Sequence, residues 1–267
     1  MSELKDAGSW RLDTFIVPPG SIRGGTCDVS GREGHHGADV VRIRVGDTVR
    51  LIDGAGAEAL ATVDSVGSGT LACTVTGTRT HDRSDGVALT VAQALLKGRG
   101  YDDVVRKLSE LGIASIMPLV TERAIGRIPP DAQQPRLERW GSVAAAAVKQ
   151  SRGVFLPEVA EPVDVASLAS RAGEFDLVLV AWEDESGATL KDALSESAAA
   201  DAGSAVGGVR SILLVVGPEG GLSENEVAVL KDAGALSVSV GRRVLKADWA
   251  AAAIASMISY ELGGLLP

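Results

Sequence analysis

The chain has 267 residues, 45% of them hydrophobic, and a formal net charge of −9. That length suffices for two domains with a sizeable core, and the acidic balance argues against simple nonspecific nucleic-acid binding. No apolar run is long enough to span a membrane, and Met1–Trp10 is polar; a cytoplasmic protein with neither a membrane anchor nor an export signal is expected. Cys27 and Cys73 are too few for a disulfide framework and lack metal-ligand spacing, so both are expected to be ordinary thiols, with no metal site. The charge is unevenly spread. Residues 90–155 hold ten Lys/Arg against six Asp/Glu, net +4, whereas residues 156–240 hold four against fifteen, net −11. A basic patch on an acidic whole is one meaning of this; uneven surface charge of no consequence is the other.

In chain order, residues 1–78 have the pattern of a small β domain. Thr14–Val17, Thr48–Ile52, Ala59–Val66 and Thr70–Thr76 are short and rich in Val, Ile, Leu and Thr, with glycine turns between several of them. A compact barrel is expected. Gly20–Gly34 is expected to be a long mobile loop. Arg42 and Arg44 alternate, so on a strand they would share one face, suited to phosphates or simply solvated. His35 and His36 fit a polar loop better than a metal site. The polar, aperiodic segment 79–86 is expected to be a linker. From residue 87 onward β and α patterns alternate: strand Val87–Ala92, helix Asp102–Leu111, strand Ser115–Leu119, helix Pro135–Gln150, strand Leu177–Trp182, a weak helix at Leu190–Ala199, strands Ile212–Val216 and Leu236–Val240, and helix Asp248–Tyr260. Such alternation predicts a parallel sheet flanked by helices over 87–267. The pieces between Pro157 and Phe175 have no clear register.

Two strand ends carry glycine turns. After Ile212–Val216 comes Gly217-Pro218-Glu219-Gly220-Gly221, followed by Ser223 and Glu226 at capping-box spacing. After the strand that ends at Val240 comes Gly241-Arg242-Arg243-Val244-Leu245-Lys246. Glycine turns at the C-terminal ends of parallel strands are where ligands sit in open α/β sheets. The first loop alone fits a tight strand–helix turn with no ligand equally well.

Together these loops resemble those of the SPOUT methyltransferases, and more narrowly the RsmE-type 16S ribosomal RNA (uracil-N3) methyltransferases. The resemblance extends to His35–Asp47, where Arg42 and Gly46-Asp47 fall on the family's PUA-like pattern. It also includes Lys97-Gly98, the helix Lys107–Gly112, Arg139-Trp140 and Gln150-Ser151-Arg152. The chain departs from the family at Ala146 and Lys149, where glutamates are common, at Lys246, where arginine is usual, and at Asp248. The family's basic residue ahead of the first strand is replaced by Thr14, with Arg11 slightly earlier.

The resemblance implies an N-terminal PUA-like β-barrel and a C-terminal trefoil-knot parallel sheet. It also implies S-adenosylmethionine as cofactor, 16S ribosomal RNA or the small ribosomal subunit as partner, and a homodimer. Trp182, Gly217, Pro218, Glu219, Gly220, Gly221, Val240, Gly241, Val244 and Leu245 would then hold the cofactor. Arg42, Arg44, Lys97 and Arg152 would face RNA. Deprotonated uracil N3 spreads charge onto its carbonyl oxygens, which nearby cations stabilise, so Lys246 and Arg243 are the catalytic candidates. Glu219 is the loop carboxylate placed to take a proton or, alternatively, to order the loop by accepting backbone N–H bonds. Two other functions stay open: a SPOUT ribose 2′-O-methyltransferase acting on tRNA, although the asparagine-arginine motif usual there is missing between Val87 and Arg127, and a noncatalytic RNA-binding module of ribosome assembly.

Overall fold

A computed structural model describes residues 12–22, 24–83, 86–126, 128–199 and 209–262. Met1–Trp10 and Arg11 lie outside the described residues. The chain divides into two compact units, one running up to Arg83 and taking in Val148–Leu156, the other comprising the remainder.

The first unit is built on β1 (Thr14–Ile16), β2 (Thr26–Val29), β3 (Thr48–Ile52), β4 (Ala57–Gly67) and β5 (Thr70–Thr80). They form one sheet in the order β1-β3-β4-β5-β2, with β1 parallel to β3 and the other pairs antiparallel. The expected barrel is thus a mixed sheet whose hydrogen-bonded path ends at β1 and β2. Two register shifts between β4 and β5 bend the long hairpin. Phe15, Val29, Val49, Leu51, Val63 and Leu71 form the core of this unit.

Two expectations fail in this unit. Gly20–Gly34 holds β2 and the start of α1 (Gly31–His35) instead of being a long mobile loop. A Cβ on Gly34 would collide with the carbonyl oxygens of Gly69 and Val29, so glycine here permits close backbone packing. Arg42 and Arg44 do not share a strand face. A π-helical stretch, His36–Val41, precedes them, and Arg42 closes it with φ 62, in the left-handed region. Both arginines are exposed.

Val148–Leu156 is tied in by polar contacts. Arg50 Nε donates to Glu58 Oε1 at 2.5 Å, and its Nη2 donates to the carbonyls of Arg152 and Gly153 at 3.1 and 3.3 Å. His81 Nε2 pairs with Glu58 Oε2 at 2.8 Å. Burial pushes the Glu58 carboxyl up, but the hydrogen bonds from Arg50 and His81 outweigh it and hold the group below its usual value. Lys149, one of the departures from the family pattern, donates to both oxygens of Glu33 at 2.9 and 3.0 Å, and Ile16 N–H also donates to Glu33.

The second unit contains β6 (Ala88–Ala94), β7 (Ser115–Val120), β8 (Glu158–Val159), β9 (Val163–Asp164), β10 (Leu177–Ala181), β11 (Ser211–Val216) and β12 (Leu236–Val238). All pair in parallel, in the order β12-β10-β11-β6-β7-β8, with β9 also on β7. Its helices are α2 (Gly100–Glu110), α3 (Pro130–Ser151), α4 (Val165–Ser170), α5 (Leu190–Ala199), α6 (Glu224–Asp232) and α7 (Ala247–Glu261). The β11 side chains alternate between two cores. Ile212, Leu214 and Val216 join residues of α2, α3, α5 and α7; Leu213 and Val215 join residues of α4 and α6. Burial on both faces explains the uninterrupted apolar run.

Helix α3 begins at Pro130, earlier than expected, and passes through Pro135. That proline falls within two turns of the N-terminus, where few intrahelical bonds are lost. Arg139 and Trp140 both bond the Asp102 carboxylate of α2, so this family-like pair serves helix packing.

Cys27 and Cys73 face each other across β2 and β5, both buried, and burial, with Cys27 nearby, pushes the Cys73 thiol up to about 11. Neither thiol should react with a maleimide in the folded protein near neutral pH, and both should react after denaturation. Mass spectrometry of labelled protein checks this.

Candidate active site

Strand order creates the site. β10 lies between β11 and β12, so the turns after these three strands stand side by side at one edge of the sheet. The turn after β11 is fixed from several directions. Ser223 caps α6 through a complete capping box with Glu226. The buried Glu226 carboxylate accepts from Ser223 N–H at 2.9 Å and from Glu122 N–H, in the turn after β7, at 2.8 Å. Gln93, at the end of β6 and fully buried, donates to the Gly217 carbonyl at 3.0 Å. Arg123 donates to the Gly220 and Leu222 carbonyls at 3.1 and 3.4 Å. Glu219 accepts from Lys97 N–H at 3.1 Å. The loop carboxylate thus links the turn after β11 to the turn after β6 by accepting a backbone N–H.

A cleft of about 1160 Å³ opens among the three turns. Val216, Val238, Leu245, Ala250 and Ile254 supply apolar walls, and Gly217, Gly221 and Gly241 bring backbone to the surface. Of the sequence-expected cofactor residues, Trp182, Gly217, Pro218, Glu219, Gly221, Val240, Gly241, Val244 and Leu245 all line it. Gly220 does not; its Cα faces Arg123. Arg243 and Lys246 also line the cleft, and Lys246 is 86% exposed in its side chain, with Nζ 3.7 Å from Asp248 Oδ2. Lys97 is exposed beside Glu219, whereas Arg42, Arg44 and Arg152 belong to the first unit. Arg152 closes α3 with φ 64.

Reasoning from sequence missed Gln93 and Arg123, whose partners lie 124 and 97 residues away. It also missed the contacts of Lys107, which donates to the Asp248 carbonyl at 2.8 Å and lies 5.3 Å from the Trp249 ring, joining α2 to the first turn of α7.

Glu185 holds the turn after β10. It accepts from Ser237 Oγ and from the amides of Gly187 and Ala188 at 2.8 and 3.3 Å, and these bonds hold its carboxyl at about 2. Its neighbour Trp182 leaves Nε1 buried with no hydrogen-bond partner in the protein. An apolar cleft with glycine edges and an unused indole donor fits a planar, uncharged heterocycle with a polar rim. Among the described residues no group of His, Cys, Asp and Glu is arranged to hold a metal ion.

Comparison with known proteins agrees with this geometry. Residues 83–259 match the family model of the RNA methyltransferase domain, and residues 29–76 match the RNA methyltransferase PUA domain. The chain therefore belongs to the RNA methyltransferase family that includes ribosomal RNA small subunit methyltransferase E. The enzyme of that name from Mycobacterium tuberculosis is 33% identical over 242 residues, covering 89% of this chain and 87% of its own. The Bacillus subtilis enzyme is 29% identical over 236 residues, covering 88% and 90%. A Legionella pneumophila protein described as a methyltransferase, solved in complex with the cofactor SAM, superposes with a TM-score of 0.82 at 26% identity, covering 94% of this chain and 98% of that one.

The Glu185 carboxyl titrates well below the ordinary 4.5. Its stabilising contribution is present above that ordinary value and is lost as pH falls towards about 2. Glu185→Gln should lower the melting temperature at neutral pH, and the gap to the parent protein should close as pH falls from about 5 to about 2. Paired thermal melts across that range check it.

Proposed function

We propose that this protein transfers a methyl group from S-adenosylmethionine to N3 of a uridine in 16S ribosomal RNA, acting as a cytoplasmic homodimer. The observation that carries the reading is the three-turn cleft, with glycine edges for the cofactor and Arg242, Arg243 and Lys246 on one wall. The cofactor in the Legionella pneumophila relative supports the donor. The small-subunit enzymes of Mycobacterium tuberculosis and Bacillus subtilis support the acceptor.

S-adenosylmethionine supplies an electrophilic methyl group for one in-line displacement. The residues of this chain then have two tasks. Gly217, Gly221 and Gly241 let backbone approach the cofactor, with Leu245 and Val244 against its apolar faces. Arg243 and Lys246 stabilise the negative charge that uracil gains as N3 loses its proton. Lys246 stands immediately before the first turn of α7, whose N–H groups favour an anion in the same place. Glu219, holding the Lys97 amide, is a positioning residue.

In the same proposal, the PUA-like domain, residues 1–78, contributes Arg42 and Arg44 to RNA binding, and the methyltransferase domain, residues 87–267, carries the cofactor site and a trefoil knot. Lys97 and Arg152 add to the RNA-facing charge. The homodimer forms through α7. Trp249, Met257 and Tyr260 leave an apolar stripe exposed along this helix, at 54%, 46% and 85%, and exposed stripes of this kind mark protein interfaces.

Lys246→Ala should lower single-turnover methylation by about 10²–10³ with little change in S-adenosylmethionine affinity, the loss expected for one preorganised donor at developing charge. Lys246→Arg should retain or raise activity. Unchanged turnover in the alanine variant would move the catalytic role to Arg243. Light scattering of the full chain should report a dimer at micromolar concentration and a monomer for Trp249→Glu; a parent protein that is already monomeric rules the dimer out.

A further inference from the structure

Glu183 has no role in the account above. It lies two residues beyond β10 and lines the cleft beside the turn after β11. Its carboxylate rests on Gly221, which has φ +70, so closely that a Cβ at that glycine would overlap Oε1 and crowd Oε2 at 3.2 Å. The backbone conformation of Gly221 favours glycine, and the Glu183 carboxylate lies directly over it. Three carboxylates beside these turns are engaged. Glu185 is held by Ser237 and two amides, Glu226 by two amides, and Glu219 by the Lys97 amide. Among the described residues Glu183 has neither a hydrogen bond nor an ion pair, although Lys191, Arg242, Arg243 and Lys246 line the same cleft.

An exposed carboxylate on the cleft lining, bonded to none of the described cations of its own chain, is suited to a cation brought by the ligand. Resting on the function proposed above, we infer that Glu183 is the specificity-determining residue that selects the cofactor for its positive charge. The donor carries two such centres, a sulfonium and an α-ammonium. Methyl transfer removes the first, leaving an uncharged thioether, and keeps the second. A carboxylate facing the sulfonium would favour donor over product; one facing the ammonium would hold both. In either case it would do little for a nucleoside lacking both charges.

Calorimetric titration of the full chain with three ligands tests this: S-adenosylmethionine, its demethylated product S-adenosylhomocysteine, and 5′-methylthioadenosine, which keeps the nucleoside and has neither charge. Glu183→Gln should weaken S-adenosylmethionine binding about tenfold, the order of a unit-charge contact in a partly wet site, and leave 5′-methylthioadenosine unchanged within about twofold, since no charge is involved there. The product then identifies the centre: unchanged affinity assigns the sulfonium, a parallel loss the ammonium. Glu183→Asp, which keeps the charge, should recover part of the donor affinity. Equal weakening of all three ligands would show a structural role and overturn the inference, as would unchanged affinity for all three, with or without a fall in turnover. A parent protein that binds none of the three overturns the cofactor reading itself, a different result from a parent that binds them all without discrimination by Glu183.

Discussion

The Glu226 carboxylate, buried and shared between two turns, is the contact on which the arrangement of the site depends. Placing a carboxylate out of water costs several kcal/mol unless donors replace the lost solvent. Here Ser223 and Glu122 supply backbone N–H groups, and the first turn of α6 adds the positive end of its dipole. The charge is satisfied only when the chain after β7 and the chain after β11 are both in place. The Gly217–Gly221 turn lies directly before this anchor, and Gln93 and Arg123 fix its carbonyls from neighbouring strands. Three segments distant in sequence, at Gln93, at Glu122–Arg123 and at Ser223–Glu226, thus determine one turn, and the cleft takes its shape from it.

Much of this was legible in the residues because local and global requirements agree. The apolar runs at Ile212–Val216 and Leu177–Ala181 become central strands buried on both faces. The Ser223 and Glu226 spacing produces the capping box it predicts. Gly112 ends α2 with φ 75, as a helix-stopping glycine should. The glycine turns were legible for a related reason: they follow buried strands, and all the expected lining residues except Gly220 meet in one cleft.

The remainder was hidden where the deciding contact is remote or the signal short. β2 is only Thr26–Val29, too brief to stand out among the glycines around it, although its outward–inward alternation is present in the residues. The left-handed turn at Arg42 has no marker, because arginine is not a residue that usually takes positive φ. The short pieces β8, β9 and α4 between Glu158 and Ser170 gain their form from pairing with β7 and packing under the sheet. Gln93, Arg123 and Lys107 act on groups roughly a hundred residues away or more, which no local pattern reveals.

The position of β10 between β11 and β12 also governs when the site can exist. The three turns and the helix beneath them come from one stretch, Ala181 to Glu261. A chain emerging from its N-terminus can fold the first unit and pair β6 with β7 well before this stretch is available. β10 then gains β11 on one edge and, later, the three residues of β12 on the other. Only when α7 has also packed against α2, β6 and β11 are all the cleft walls present. Cofactor retention would therefore report completion of the chain's final folding step, so that a partly folded molecule would be unable to hold a methyl donor near RNA.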